Sequence, residues 1–200
     1  MGERAARAVG AEDLMGKQEN ELTVNDTWGT PKYVLDAIVR VLGPIGLDPC
    51  SHPDAVVPCT HAIMLPGYER ASPYAGQTWR GDGLTTEWDG YGLVYVNPPY
   101  SELDPWCQKA AREGDEVVML VPCRTGNVYW PSGAGQADVE VRLPRVTHRG
   151  SKAHAPWHSW LLYYGKRVEL ALSLVELGEV RVHPRHLDLS PDPAKRWRAT

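Results

Sequence analysis

The chain has 200 residues, a formal net charge of −4 at pH 7 and a hydrophobic content of 42%. This length suits one domain with a substantial core, and no apolar run is long enough to cross a membrane. The acidic balance excludes a protein that holds nucleic acid through bulk charge, so any such contact needs a local basic patch. The 4 cysteines, with no hydrophobic signal core, predict an intracellular protein with reduced thiols.

We expect one folded domain over residues 25–190, a flexible leader over 1–24 and a flexible tail over 191–200. The first predicted element is a helix whose apolar face runs from Val34 to Leu42 and which stops at Gly43. Thr30 reads as its N-cap, and Pro31 as its first helical residue.

A short strand over 45–50 ends in Asp48 and Pro49. A carboxylate at a strand end has two interpretations of equal weight, pairing with a cationic amine or capping a turn. A Cys-x-His pattern then occurs twice, at Cys50/His52 and Cys59/His61. This spacing is unusual for zinc, so it favours buried cysteines and surface histidines over a metal site.

Residues 62–79 carry turn signals and little periodicity, which predicts an insertion loop, and Asp82-Gly83 is a turn signal. The strand over 93–96 then runs into Asn97-Pro98-Pro99-Tyr100. Proline cannot donate to a sheet, so a stiff turn forms at the strand's carboxyl end, where ligands bind in open α/β sheets. The Asn97 amide and the Tyr100 ring suit a flat heterocycle with an exocyclic amine. This interpretation is favoured over a plain proline-stiffened loop.

Further elements are a helix over 105–112, a buried strand over 116–122, an antiparallel pair over 138–143 and 159–164, a helix over 167–177 and an edge strand over 180–183. Strands that alternate with helices predict an α/β fold, with a mostly parallel sheet and helices on both faces. Candidate phosphate contacts are Arg124 and the basic loop that holds Arg145, Arg149 and Lys152. A solvated arginine is the slightly favoured interpretation of Arg124, and a solvated loop explains the other three residues equally well.

Several motifs together resemble the phage-type Dam family of DNA N-6-adenine methyltransferases. They are Trp28-Gly29-Thr30-Pro31, Leu47-Asp48-Pro49-Cys50, Asp82-Gly83-Leu84 with Trp88, Asn97-Pro98-Pro99-Tyr100 and Trp106. The resemblance implies a Rossmann-like class I methyltransferase fold and S-adenosylmethionine as cofactor. It also implies cofactor contacts from Trp28, Thr30, Pro31, Asp48, Pro49, Asp82, Leu84 and Asn97.

The implied reaction methylates a flipped-out adenine that stacks on Tyr100 in double-stranded DNA. Asn97 and the Pro98 carbonyl accept hydrogen bonds from its amine, Pro99 stiffens the turn, and no metal takes part. Two alternatives stay open. One is an amino-methyltransferase acting on cytosine-N4, RNA or a protein glutamine. The other is a non-catalytic nucleic-acid-binding domain with the same fold.

Overall fold

The computed structural model describes residues 29–68, 70–113, 115–147 and 155–186. Within them one sheet contains eight strands: β1 Ile45–Ser51, β2 Cys59–Met64, β3 Ala75–Arg80, β4 Leu93–Val96, β5 Val117–Pro122, β6 Val139–Leu143, β7 Ser159–Tyr164 and β8 Glu179–Val182. The α-helices are α1 Lys32–Leu42, α2 Leu103–Glu113, α3 Tyr129–Ser132 and α4 Val168–Leu172, with 3-10 turns at Ala134–Gln136, Ser173–Leu177 and Pro184–His186. None of these helices is long and apolar enough to span a bilayer.

The strand order is β3-β2-β1-β4-β5-β7-β6-β8. From β3 to β5 every neighbouring pair is parallel, whereas β7 is antiparallel to β5 and β6, and β8 is antiparallel to β6. The carboxyl ends of β1 to β5 therefore lie at one edge of the sheet. The carboxyl end of β6 lies at the same edge, because β5 and β6 are both antiparallel to β7 and so run in the same direction. We refer to this as the C-terminal edge.

Apolar side chains cover both faces of the sheet. α1 buries Val34, Leu35 and Ile38 against one face, together with α4 and the turn that follows it. α2 buries Trp106 and Ala110 against the other face, with α3. β5 is buried along its whole length, as its unbroken apolar sequence predicts. The expected α/β sheet with helices on both faces is confirmed.

The predicted alternation of strands and helices is wrong between Ser51 and Leu93. The described residues of the connections 52–58, 65–74 and 81–92 form no helix, and each connection contains at least two Pro or Gly residues. The predicted insertion loop over 62–79 is also wrong, because this stretch holds the end of β2 and most of β3. By contrast, the antiparallel pair of β6 and β7 and the edge strand β8 are confirmed.

The N-cap predicted for α1 is wrong by one residue. Pro31 occupies the cap position, and no side chain caps the helix. The Thr30 hydroxyl is instead hydrogen-bonded to the Tyr95 hydroxyl on β4, at 2.6 Å. A partner 65 positions away in sequence thus replaces the local cap.

The turn at Asp82-Gly83 packs tightly against the end of β1. A Cβ atom at Gly83 would lie 2.0 Å from the Pro49 carbonyl oxygen and 2.9 Å from Trp106 Cη2. The Trp88 indole donates to the Gly83 carbonyl at 2.9 Å. Only glycine permits this approach, which fixes the turn beside the C-terminal edge.

We predict that Gly83→Ala lowers the free energy of unfolding by about 1–3 kcal/mol, because the Pro49 backbone cannot yield to a methyl group. Gly126→Ala is the control, since no described atom lies within 4 Å of a Cβ built there. Chemical denaturation of both variants measures the difference. Equal stability of the two variants would show that the turn does not pack against β1 in this way.

Candidate active site

A narrow crevice opens at the C-terminal edge between β1 and β4. It is lined by Gly29 and Thr30, by Asp48, Cys50 and His52, by residues 55–57 and by Asn97. Three residues predicted from separate motifs, Thr30, Asp48 and Asn97, are thus brought together. The crevice holds only about 10 Å³, the space of one water, so a larger ligand requires some of the lining residues to move.

Asp48 is the charged group of this crevice. Only 3% of its surface is exposed, and its Oδ1 accepts a hydrogen bond from the Cys50 backbone N–H at 3.2 Å. Burial raises the pKa of Asp48 from an ordinary 3.8 to about 6, since a carboxylate loses its hydration there, and the hydrogen bond from Cys50 only partly offsets this. Such a carboxylate suits a cationic partner. The turn-capping interpretation also has support, because the acceptor bond to Cys50 is local.

Asn97 directly follows β4, and the two prolines after it are buried. The Pro99 carbonyl accepts from the Glu102 N–H at 3.0 Å, one residue before α2 begins. Tyr100 is half-buried against the apolar cluster that includes Trp106, and burial raises the pKa of its hydroxyl, which therefore stays protonated. The Asn-Pro-Pro-Tyr sequence is thus a rigid joint between a fully buried strand and a packed helix.

The other described residues that were predicted to contact the cofactor do not line the crevice. Pro31 is buried and its carbonyl accepts from the first turn of α1, and Pro49 is buried inside β1. Asp82 is exposed and its Oδ1 accepts from the Leu84 N–H at 2.8 Å, so it caps its own turn and does not line the crevice. Leu84 is half-buried against the core. Trp28 lies outside the described residues.

A groove of about 490 Å³ lies beyond the crevice at the ends of β2 and β3, lined by Met64, Leu65, Pro66, Gly67, Tyr68, Arg80 and Gly81. The sequence does not reveal this groove, because the turn signals over residues 62–79 predict a loop where the end of β2 and most of β3 lie. The Leu65 N–H donates to the Ser51 carbonyl at 2.9 Å, which holds the groove against the end of β1.

His52 corrects a sequence expectation. A surface histidine was predicted, yet His52 is only 4% exposed and lines the crevice, whereas His61 is half-buried with Nδ1 3.3 Å from the Gly46 carbonyl. All four cysteines are free thiols. In the described part of the chain, no three His, Cys, Asp or Glu side chains are grouped as metal ligands.

The candidate phosphate contacts lie farther along the same edge. Arg124 follows β5 and is exposed, and its guanidinium carbon lies 3.8 Å from the centre of the Trp157 ring. Arg145 is exposed after β6, next to Val146, whose carbonyl pairs with the Ala155 N–H at 2.9 Å. Arg149 and Lys152 belong to residues 148–154, outside the described part of the chain.

A family model for DNA N-6-adenine-methyltransferase (Dam) matches residues 68–147. The resemblance to the Dam family is confirmed. The matched segment contains Asp82, Asn97 and Tyr100, and the Dam family uses S-adenosylmethionine as methyl donor. A search of curated proteins finds no match.

A larger groove of about 800 Å³ lies at the opposite edge of the sheet, by the amino ends of β4 and β5. Acidic residues dominate its lining: Glu87, Asp89, Glu113, Asp115 and Glu116, with Arg112. Trp88 of the Dam-like motifs is part of this lining, but no residue predicted to contact the cofactor or the target base is. Size alone would therefore favour the edge opposite to the predicted cofactor residues.

We predict that Asp48→Asn stabilises the fold above pH 6, by up to about 3 kcal/mol, because the variant removes a buried charge. With a folded-state pKa raised to about 6, Asp48 favours the folded state fully below pH 3.8, and this contribution is lost as the pH rises through 6. The two proteins should accordingly unfold alike at pH 4 and diverge by pH 8 in thermal denaturation. A constant difference at all pH values would contradict the buried charge.

Proposed function

We propose that this protein transfers a methyl group from S-adenosylmethionine to the N6 amine of adenine in DNA. The observation that carries the proposal is that one crevice is lined by both Asn97 and Asp48. Asn97 belongs to the motif expected to bind the target amine, and Asp48 belongs to a motif expected to bind the cofactor. The Dam match supports DNA methylation as the reaction class. The choice of adenine rests on the Asn97-Pro98-Pro99-Tyr100 motif and on the description of the family.

The strand order supports a Rossmann-like class I methyltransferase fold. β2 and β3 lie on one side of β1, and β4 and β5 lie on the other. In open parallel sheets, a reversal of this kind leaves a crevice at the carboxyl ends of the two central strands, and ligands bind there. We assign residues 25–190 to this domain.

The side chains of the crevice fit S-adenosylmethionine in chemistry. Asp48 would pair with its ammonium group, and the Thr30 hydroxyl and the Asn97 amide would bind its polar groups. Pro31, Pro49, Asp82, Leu84 and Trp28 complete the proposed set, with Asp82 toward the adenine of the cofactor. When bound, the cofactor supplies an electrophilic methyl group.

Asn97 and Tyr100 would orient the target base. The Asn97 side-chain oxygen and the Pro98 carbonyl accept the two hydrogens of the exocyclic amine, which concentrates the lone pair on nitrogen and aims it into the crevice. Tyr100 stacks on the flipped base, and the buried Pro98-Pro99 unit holds both groups in place. No tuned general base is required, since the amine becomes acidic once it is methylated.

The DNA backbone would follow the C-terminal edge from β5 to β6. Arg124 and Arg145 are exposed there, and Arg149 and Lys152 follow in the same loop sequence. With a net charge of −4, the protein depends on such a local cationic surface for phosphate contact.

We predict that Asn97→Ala lowers methyl transfer by about 100-fold or more, because one of the two acceptors of the amine is lost. Tritiated S-adenosylmethionine with unmethylated DNA provides the assay, and the label should be recovered as N6-methyladenine. Asn127→Ala, at an exposed position after β5, is the control. Recovery of the label in cytosine, RNA or a peptide glutamine would identify that group as the substrate in place of adenine. Full activity of Asn97→Ala would overturn the mechanism.

We predict that Arg124→Ala weakens DNA binding and reduces the slope of log K against log salt by about one. Arg124→Lys keeps the charge and should retain most of the affinity. Arg40→Ala is the control, because Arg40 pairs with Glu176 on another surface. Fluorescence anisotropy across a salt series makes the measurement. If the Ala and Lys variants lose equal DNA affinity, the charge of Arg124 has no role in binding and its contribution is stacking on Trp157.

A further inference from the structure

His52 lies directly after β1, at the C-terminal edge. Its side chain lines the crevice that also contains Asp48 and Asn97, and 4% of its surface is exposed. Local sequence gave no role to this residue beyond a Cys-x-His pattern. Its position now places an imidazole among the groups that would hold the cofactor.

The His52 Nδ1 atom is buried and has no hydrogen-bond partner among the described residues. A buried polar atom without a partner costs free energy, about that of a lost hydrogen bond, and such atoms are rare in folded proteins. Burial lowers the pKa of His52, against the opposing charge of Asp54. The ring is therefore neutral at pH 7, and one of its nitrogens is a hydrogen-bond acceptor.

His52 also marks the boundary between two cavities. Its ring centre is 6.1 Å from that of Tyr68, which lines the 490 Å³ groove at the ends of β2 and β3. The crevice with Asp48 suits the methionyl end of the cofactor, and the groove offers the room for its nucleoside end. In this arrangement a side chain that lies between the crevice and the groove would face the ribose.

Ribose hydroxyls require acceptors, and in nucleotide-binding sheets a carboxylate commonly provides one. The described residues that line the groove include no carboxylate. The neutral His52 ring offers an acceptor at this edge of the sheet.

We propose that His52 accepts a hydrogen bond from a ribose hydroxyl of S-adenosylmethionine. This inference rests on the proposed function, and it assigns the ribose contact that the sequence motifs leave open. His52 is a binding residue in this scheme and takes no part in the transfer of the methyl group.

A thermodynamic cycle in calorimetry tests the contact. The ligands are S-adenosylhomocysteine and its analogue without both ribose hydroxyls, and the proteins are wild type, His52→Ala and His52→Gln. His52→Ala should weaken binding of the natural ligand by about tenfold and that of the analogue hardly at all. His52→Gln keeps an acceptor oxygen and should recover part of the affinity.

His61→Gln, on the neighbouring strand and outside both cavities, is the control and should bind as wild type does. Thermal unfolding of each variant separates loss of fold from loss of contact. Equal losses for both ligands would overturn the role of His52 and leave the methyltransferase proposal intact. Failure of the wild type to bind S-adenosylhomocysteine would overturn both.

Discussion

The reversal of the chain at β1 is the constraint on which the rest of this structure depends. After β1 the chain adds β2 and β3 on one side, then returns to place β4 on the other side. The segments that leave β1 and β4 at their carboxyl ends consequently diverge and cannot cover the space between them. Asp48 in the carboxyl half of β1 and Asn97 directly after β4 meet because these two strands are neighbours in the sheet, although 45–51 and 93–96 are distant in sequence.

Buried polar groups at the C-terminal edge lower the free energy of unfolding. Asp48 is charged at neutral pH only against the cost of burial, and His52 keeps a buried nitrogen without a partner among the described residues. Elsewhere in the same region polar groups are satisfied, as the Thr30–Tyr95 hydrogen bond shows. A buried charge and a buried nitrogen without a described partner in one crevice are features of a binding site, where a ligand completes the hydrogen bonds.

The sequence predicted those elements that carry a strong local signal. β4, β5 and α2 have unbroken apolar runs or a clear apolar face, and their packing needs no distant information. The Asn-Pro-Pro-Tyr turn was also predictable, because proline cannot extend a sheet. These features sufficed to locate the centre of the candidate site.

Other features depend on contacts that local sequence does not encode. β3 is an edge strand in which no residue is fully buried, so it lacks the apolar signature of a buried strand. Thr30 was predicted as a cap, but Tyr95 competes for its hydroxyl from another strand. The burial of His52 likewise results from the tertiary packing of the 52–57 connection, so no pattern around His52 could have predicted it.

The central claim is that the cofactor binds at the C-terminal edge, although the larger groove lies at the opposite edge. Hydrogen–deuterium exchange with and without S-adenosylhomocysteine tests this most directly. We expect protection at residues 48–57 and 97–100, and none at residues 87–92 and 111–117. Protection confined to the acidic groove would contradict the account.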